Sequence, residues 1–209
     1  MGARSRLPRR SRLIWVEGKD DSAVVQSLCE KHHVPEVFKV QSKDGVDELL
    51  GMFYTELRAP GADRFGVVVD ANGNAQARWD SIRHTLEAEG YAGVPHRPAP
   101  DGIILPGTEH RPMFGAWIMP DNGSPGALED FAAALVPGDD PLWSRAGEAV
   151  DAIPAEHRPF RTFAGPRLTS TRGSHGRNIR ARRWARRSAR ATWMRTPPWQ
   201  AGSSPGFGG

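Results

Sequence analysis

With one cysteine, Cys29, in 209 residues the chain cannot close an internal disulfide, and no run of about 18 apolar residues is present to cross a bilayer as a helix. The opening stretch MGARSRLPRRSR is basic but carries no apolar segment of the kind a secretion signal needs. A soluble, cytoplasmic protein with no membrane partner is the expectation. Zinc spacing is missing too: His32 and His33 are neighbours that point apart on a helix, and His84, His96 and His110 share no ligand interval. No nucleophile elbow stands between a strand and a helix, and no phosphate loop ends in Gly-Lys-Ser/Thr, which removes two common catalytic plans.

Acid is absent from one whole segment. Residues 161–209 hold 11 Arg, no Lys and no Asp or Glu, and residues 1–12 hold 5 Arg. The intervening 13–160 therefore carry 12 bases against all 24 acids, a net charge of −12 hidden beneath the +4 of the whole chain. Such a body repels phosphate at long range, so any contact with nucleic acid has to run through bound cations or local basic groups.

From Leu13 onward, short apolar runs alternate with longer amphipathic ones, the pattern of strands and helices around a largely parallel sheet with helices on both faces. Strands are expected at 12–16, 36–42, 64–70, 101–107 and 114–120, and helices at 21–34, 45–59, 75–90, 125–136 and 142–153. Val46, Leu49, Leu50, Phe53 and Leu57 recur at helical spacing, and Gly90 closes the third helix. Trp15, Trp79 and Trp117 fall on apolar faces and read as core, as does Cys29. Ligands of such sheets collect where strands end and helices begin. Here those ends are acidic: Glu17-Gly18 after the first strand, Asp70-Ala71-Asn72-Gly73-Asn74 after the third, and Pro120-Asp121-Asn122-Gly123 after the fifth.

The ordered stretches VEGKDD, VVVDANGN, RWDSIRHTLEAEGY and AWIMPDNGSPGALEDF resemble the Toprim domain of topoisomerases, primases and small nucleases, and within it an uncharacterised bacterial branch. The resemblance covers roughly 12–160 in one piece, after a basic extension at 1–11. It implies Mg²⁺- or Mn²⁺-dependent work on a phosphodiester, foremost nucleic-acid cleavage by a nuclease or a related phosphotransferase. A non-catalytic module that binds nucleotide or nucleic acid is the alternative. In that reading Glu17 is general acid/base and metal ligand, Asp70 is the principal ligand helped by Asn72, and Gly18 and Lys19 approach a phosphate; Asp21, Asn74 and Asp121 support them. The chain departs from the pattern at Asn72, where Toprim loops supply a second aspartate; an amide oxygen can ligate Mg²⁺ but brings no charge.

Each of these residues has a plainer reading. Asp20, Asp21 and Ser22 suit a helix start, where side-chain oxygens accept free amide protons. Asn72-Gly73 is a common turn dipeptide, and Glu129 and Asp130 suit a solvated helix start or cap.

The arginine-rich segment 161–209 has few aliphatic residues and reads as a disordered basic tail. One reading is an arm that binds nucleic acid. The other is translation out of frame: with suitable codons PRLTSTRGSHGRNIR (166–180) becomes KAHIHAWLAWQEHP from the third base, an amphipathic string that resembles the closing helix of the Toprim-like branch. The second reading leaves the apolar face of a helix uncovered. Sequencing the gene separates the two.

Overall fold

β-branched runs with no polar alternation form strands buried on both faces, and the central strand of this sheet is one of them. A computed structural model of the chain describes residues 11–157. Its elements are β1 (Ser11–Val16), α1 (Lys19–Lys31), β2 (Lys39–Ser42), α2 (Val46–Leu57), β3 (Ala62–Asp70), α3 (Ala75–Ala88), β4 (Ile103–Leu105), β5 (Met113–Met119), α4 (Leu128–Leu135), α5 (Pro141–Asp151) and a final 3-10 turn at Ala155–His157. The spatial order is β2-β1-β3-β5-β4. The first four are mutually parallel, and β4 pairs antiparallel at the edge. This is the expected α/β class. The tail at 161–209 lies outside the described residues, as do residues 1–10.

On β3 the side chains of Phe65, Val67 and Val69 enter one core and Val68 the other. The first core takes Leu49, Phe53 and Leu57 from α2 and Trp79, Ile82 and Leu86 from α3. The second takes Val25 from α1 and Phe131 from α4. Helices therefore cover both faces. Trp15 meets Phe65 edge-on at 4.9 Å between ring centroids, and Trp15, Trp79 and Trp117 are all core residues. Cys29 packs against the second core, where burial raises its thiol pKa.

Boundaries shift where loop chemistry intervenes. The helix α1 starts at Lys19, two residues earlier than its periodicity predicts, because the Asp21 carboxylate accepts the Gly18 N–H at 3.0 Å and closes the first turn. The helix α4 starts later, at Leu128, because Gly126 is held in a bridge to Asn72. The helix α5 is capped by Asp140 and begins with Pro141, yet it buries no residue; Leu142 is 71% exposed. No helix among the described residues is long and apolar enough to cross a membrane.

The edge where the parallel strands begin is pinned by one carboxylate. Glu89, which follows α3, accepts two hydrogen bonds of 2.8 Å from Arg58 beyond α2, and Arg111 ahead of β5 pairs with it at 2.9 Å. Tyr91 donates its hydroxyl to the Pro112 carbonyl at 2.7 Å beside it. The Arg58 bond, opposed by burial, holds the Glu89 carboxyl below the usual range. Its contribution to stability is thus present above the unfolded glutamate pKa and lost as pH falls through the folded one. Glu89→Gln is expected to destabilise the protein by about 2 kcal/mol at pH 7. The gap from wild type should narrow below about pH 4.3, the ordinary glutamate value. Urea denaturation of both proteins across pH 3 to 8 checks this, and an equal gap at every pH contradicts it.

Candidate functional site

Because β1, β3 and β5 are parallel neighbours, their carboxyl ends open on one edge and lead into α1, α3 and α4. Val16 on β1 lies opposite Val68, and Asp70 on β3 lies opposite Met119. The edge is therefore nearly level, with Glu17 one residue past the end of β1. It is also where three helices present free N–H groups.

Asp70 stands where β1 has already left the sheet, so its backbone on that side has no strand to pair with. Side chains replace the strand. Glu17 Oε1 accepts the Asp70 N–H at 2.7 Å, and Arg78 Nε donates to the Asp70 carbonyl at 3.0 Å. On the other side the Ala71 N–H reaches the Met119 carbonyl at 3.0 Å. This accounting fixes Glu17 and Asp70 beside one another.

The result is a concentration of negative charge. Burial is the main cause that pushes the Asp70 carboxyl up to about 7, followed by the charges of Glu17, Asp21 and Glu129, while the Leu128 N–H at the start of α4 lowers it. Burial likewise raises Glu17, against the Asp70 N–H and the charge of Arg78. Asp21 is only 7% exposed, and burial raises it too. Asp70 Oδ1 and Asp21 Oδ1 are both buried without a hydrogen-bond partner. Such orphaned oxygens are rare and call for an explanation.

The structure thus brings Glu17, Asp70 and Asp21 together, with the exposed Glu129 within electrostatic reach. Gly18 caps α1, and a Cβ there would approach Asp21 Oδ2 to 3.1 Å. Lys19 is exposed on the first turn of α1. Asn72 is exposed in a left-handed turn, φ 50°, and its backbone exchanges two hydrogen bonds with Gly126, at 2.7 and 2.8 Å. Asn74 caps α3 by accepting the Ala77 N–H at 3.1 Å. Asp121 is only 4% exposed and accepts the Gly123 N–H, the Ser124 N–H and the Ser124 hydroxyl, which commits both of its oxygens to its own loop.

Three contributors escaped sequence reasoning. Arg78, the fourth residue of α3, reaches back eight residues to the strand end. Gly126, at φ 145°, has no room for a side chain, because a Cβ would lie 2.7 Å from Asp130 Oδ2. Asn122, at φ 62°, folds back so that its Oδ1 accepts the Ile118 N–H at 2.7 Å, past the point where β4 has ended. The only local signals were an arginine one turn into a helix and a glycine just before one.

No three His, Cys, Asp or Glu side chains among the described residues form a ready ligand set. Asp70 Oδ1 and Asp21 Oδ1 are buried carboxylate oxygens of the kind a hard cation would take if one were bound there.

Fold and site together define an α/β protein with carboxylates gathered at the carboxyl edge of a mostly parallel sheet. The chain belongs to the family described as protein of unknown function (DUF3226), whose model matches residues 11–166. The match ends inside the arginine-rich segment. Comparison with curated proteins gave no match, and comparison with solved structures gave none.

The raised Asp70 carboxyl has a thermodynamic consequence. With its carboxyl raised, Asp70 is expected to hold its proton longer in the native state than in the unfolded chain, so its own contribution to stability falls as pH rises from about 4, the ordinary aspartate value, to about 7, and is flat beyond. Asp70→Asn is expected to melt above wild type at pH 8 in EDTA, with the difference closing toward pH 4. Thermal denaturation over that range measures it, and a variant less stable than wild type at pH 8 contradicts the charge assignment.

Proposed function

We propose that the chain is a Toprim-type protein that processes a phosphodiester with Mg²⁺ or Mn²⁺, with nucleic-acid cleavage the leading reaction. The observation that carries this reading is the fixed placement of Glu17 against Asp70, beside the unpartnered Asp70 Oδ1 and Asp21 Oδ1. Asp70 and Asp21 would hold the cation, with Asn72 placed further out on its turn. A bound cation would neutralise phosphate charge and lower the pKa of a coordinated water. Glu17, whose carboxyl burial raises above its ordinary value, would take or return the proton. The N-termini of α1, α3 and α4 add partial positive charge at the same edge, which suits a phosphate brought by the ion.

A second reading, a module that binds nucleotide or nucleic acid without cutting it, is favoured by Asn72. This residue supplies an exposed neutral amide where a second aspartate would strengthen the ion. The net charge of −12 over 13–160 favours a nucleotide or a short strand over a long duplex tract in either reading.

The readings separate by incubating the full chain with plasmid DNA and single-stranded RNA in Mg²⁺, Mn²⁺ or EDTA, alongside Glu17→Gln. The glutamine can still accept the Asp70 N–H, so the fold should persist. Cleavage is expected only with metal and slower by about 100-fold or more in the variant. Binding without cleavage supports the second reading. Cleavage that survives in EDTA, or is untouched by the substitution, contradicts the first.

A further inference from the structure

We infer that Arg78 is the anion-recognising residue of this edge, its guanidinium taking a phosphate oxygen of the substrate beside the carboxylate pair. The inference rests on the phosphodiester reading and adds to it the group that meets the anion rather than the cation.

Several arginines of the body are spent on carboxylates. Arg12 pairs with Asp63 at 2.9 Å, Arg58 and Arg111 with Glu89, and Arg83 with Asp80 and Glu87. Arg78 differs from all of these. It sits half-buried at the edge that holds Glu17 and Asp70, yet its hydrogen bond within the described residues goes to a neutral carbonyl, that of Asp70. It forms no ion pair with a described carboxylate. Its charge nevertheless reaches Glu17, whose carboxyl it lowers.

A guanidinium has five N–H donors in a rigid fork, and the bond from Nε spends one. The two terminal nitrogens, with four donors, keep the geometry that matches two phosphate oxygens. Anchoring Nε to a strand end also holds the fork in place before the ligand arrives, which reduces the ordering cost of binding. Asp70 is the common point. Its N–H is held by Glu17, its carbonyl by Arg78, and its carboxyl bears the orphaned oxygen. A cation on the carboxyl and an anion on the arginine would therefore sit next to each other, as a metal-bound phosphate requires.

The test uses the full chain, inorganic phosphate as the anion probe and Mn²⁺ alone as the cation probe, with wild type, Arg78→Gln and Arg78→Lys. Phosphate binding is followed by thermal shift in the presence and absence of Mg²⁺, Mn²⁺ binding by electron paramagnetic resonance, and folding by circular dichroism. Arg78→Gln is expected to weaken phosphate binding by about 10- to 100-fold and leave Mn²⁺ affinity within about twofold of wild type. Arg78→Lys should restore part of the phosphate binding through its charge, but not the paired geometry. Phosphate binding that is absent from wild type, or equal in Arg78→Gln, overturns the inference. Joint loss of phosphate and Mn²⁺ in a folded Arg78→Gln also overturns it, and makes the arginine a positioning residue for Asp70. Wild type that binds phosphate through Arg78 but takes up no Mn²⁺ overturns the metal reading and leaves the arginine's role standing.

Discussion

The bond from the Asp70 N–H to Glu17 is the constraint from which the site follows. A strand that outlasts its neighbour must satisfy its last backbone groups with something other than a strand. Glu17 and Arg78 do this for the two backbone groups of Asp70. The solution forces a carboxylate against the residue whose own carboxylate is half-buried, and with Asp21 nearby the local electrostatics become unfavourable. A main-chain requirement and a charge cluster are thus one structure. If Glu17 moves away, the Asp70 N–H loses its acceptor.

The rest of the fold offsets that cost. Two hydrophobic cores sandwich β3, and Phe53, Phe65, Phe114 and Tyr91 form a chain of ring contacts under α2 and α3. At the opposite edge Glu89 holds Arg58 and Arg111 together. The bridge between Asn72 and Gly126 ties the loop after β3 to the loop after β5, so the carboxylates are fixed on two sides. The crowded carboxylates lie at the edge where strands give way to helices, which is where proteins commonly tolerate local rule-breaking for function.

Periodicity made the fold legible. The continuous apolar run of β3, the helical spacing of Val46 to Leu57 and the three core tryptophans all follow from burial patterns within single elements. Asn72-Gly73 also reads correctly as a turn, since Asn72 takes the left-handed conformation. What sequence spacing does not contain is pairing between distant segments. The antiparallel sense of β4, the bridge at Gly126 and the reach of Arg78 to Asp70 each depend on contacts settled only when the sheet assembles. The acids illustrate the same limit. Glu17, Asp70 and Asp121 all end strands on the same edge, yet Asp121 is taken up by Gly123 and Ser124, while Asp21, on the first turn of α1, lies within electrostatic reach of Asp70.

Anomalous scattering from a crystal grown in Mn²⁺ would show whether Asp70 and Asp21 hold a cation between them. A peak is expected within about 2.5 Å of both Asp70 Oδ1 and an Asp21 oxygen, with waters completing the shell. A fully occupied ion elsewhere on the molecule, with those two oxygens still unpartnered, would contradict it.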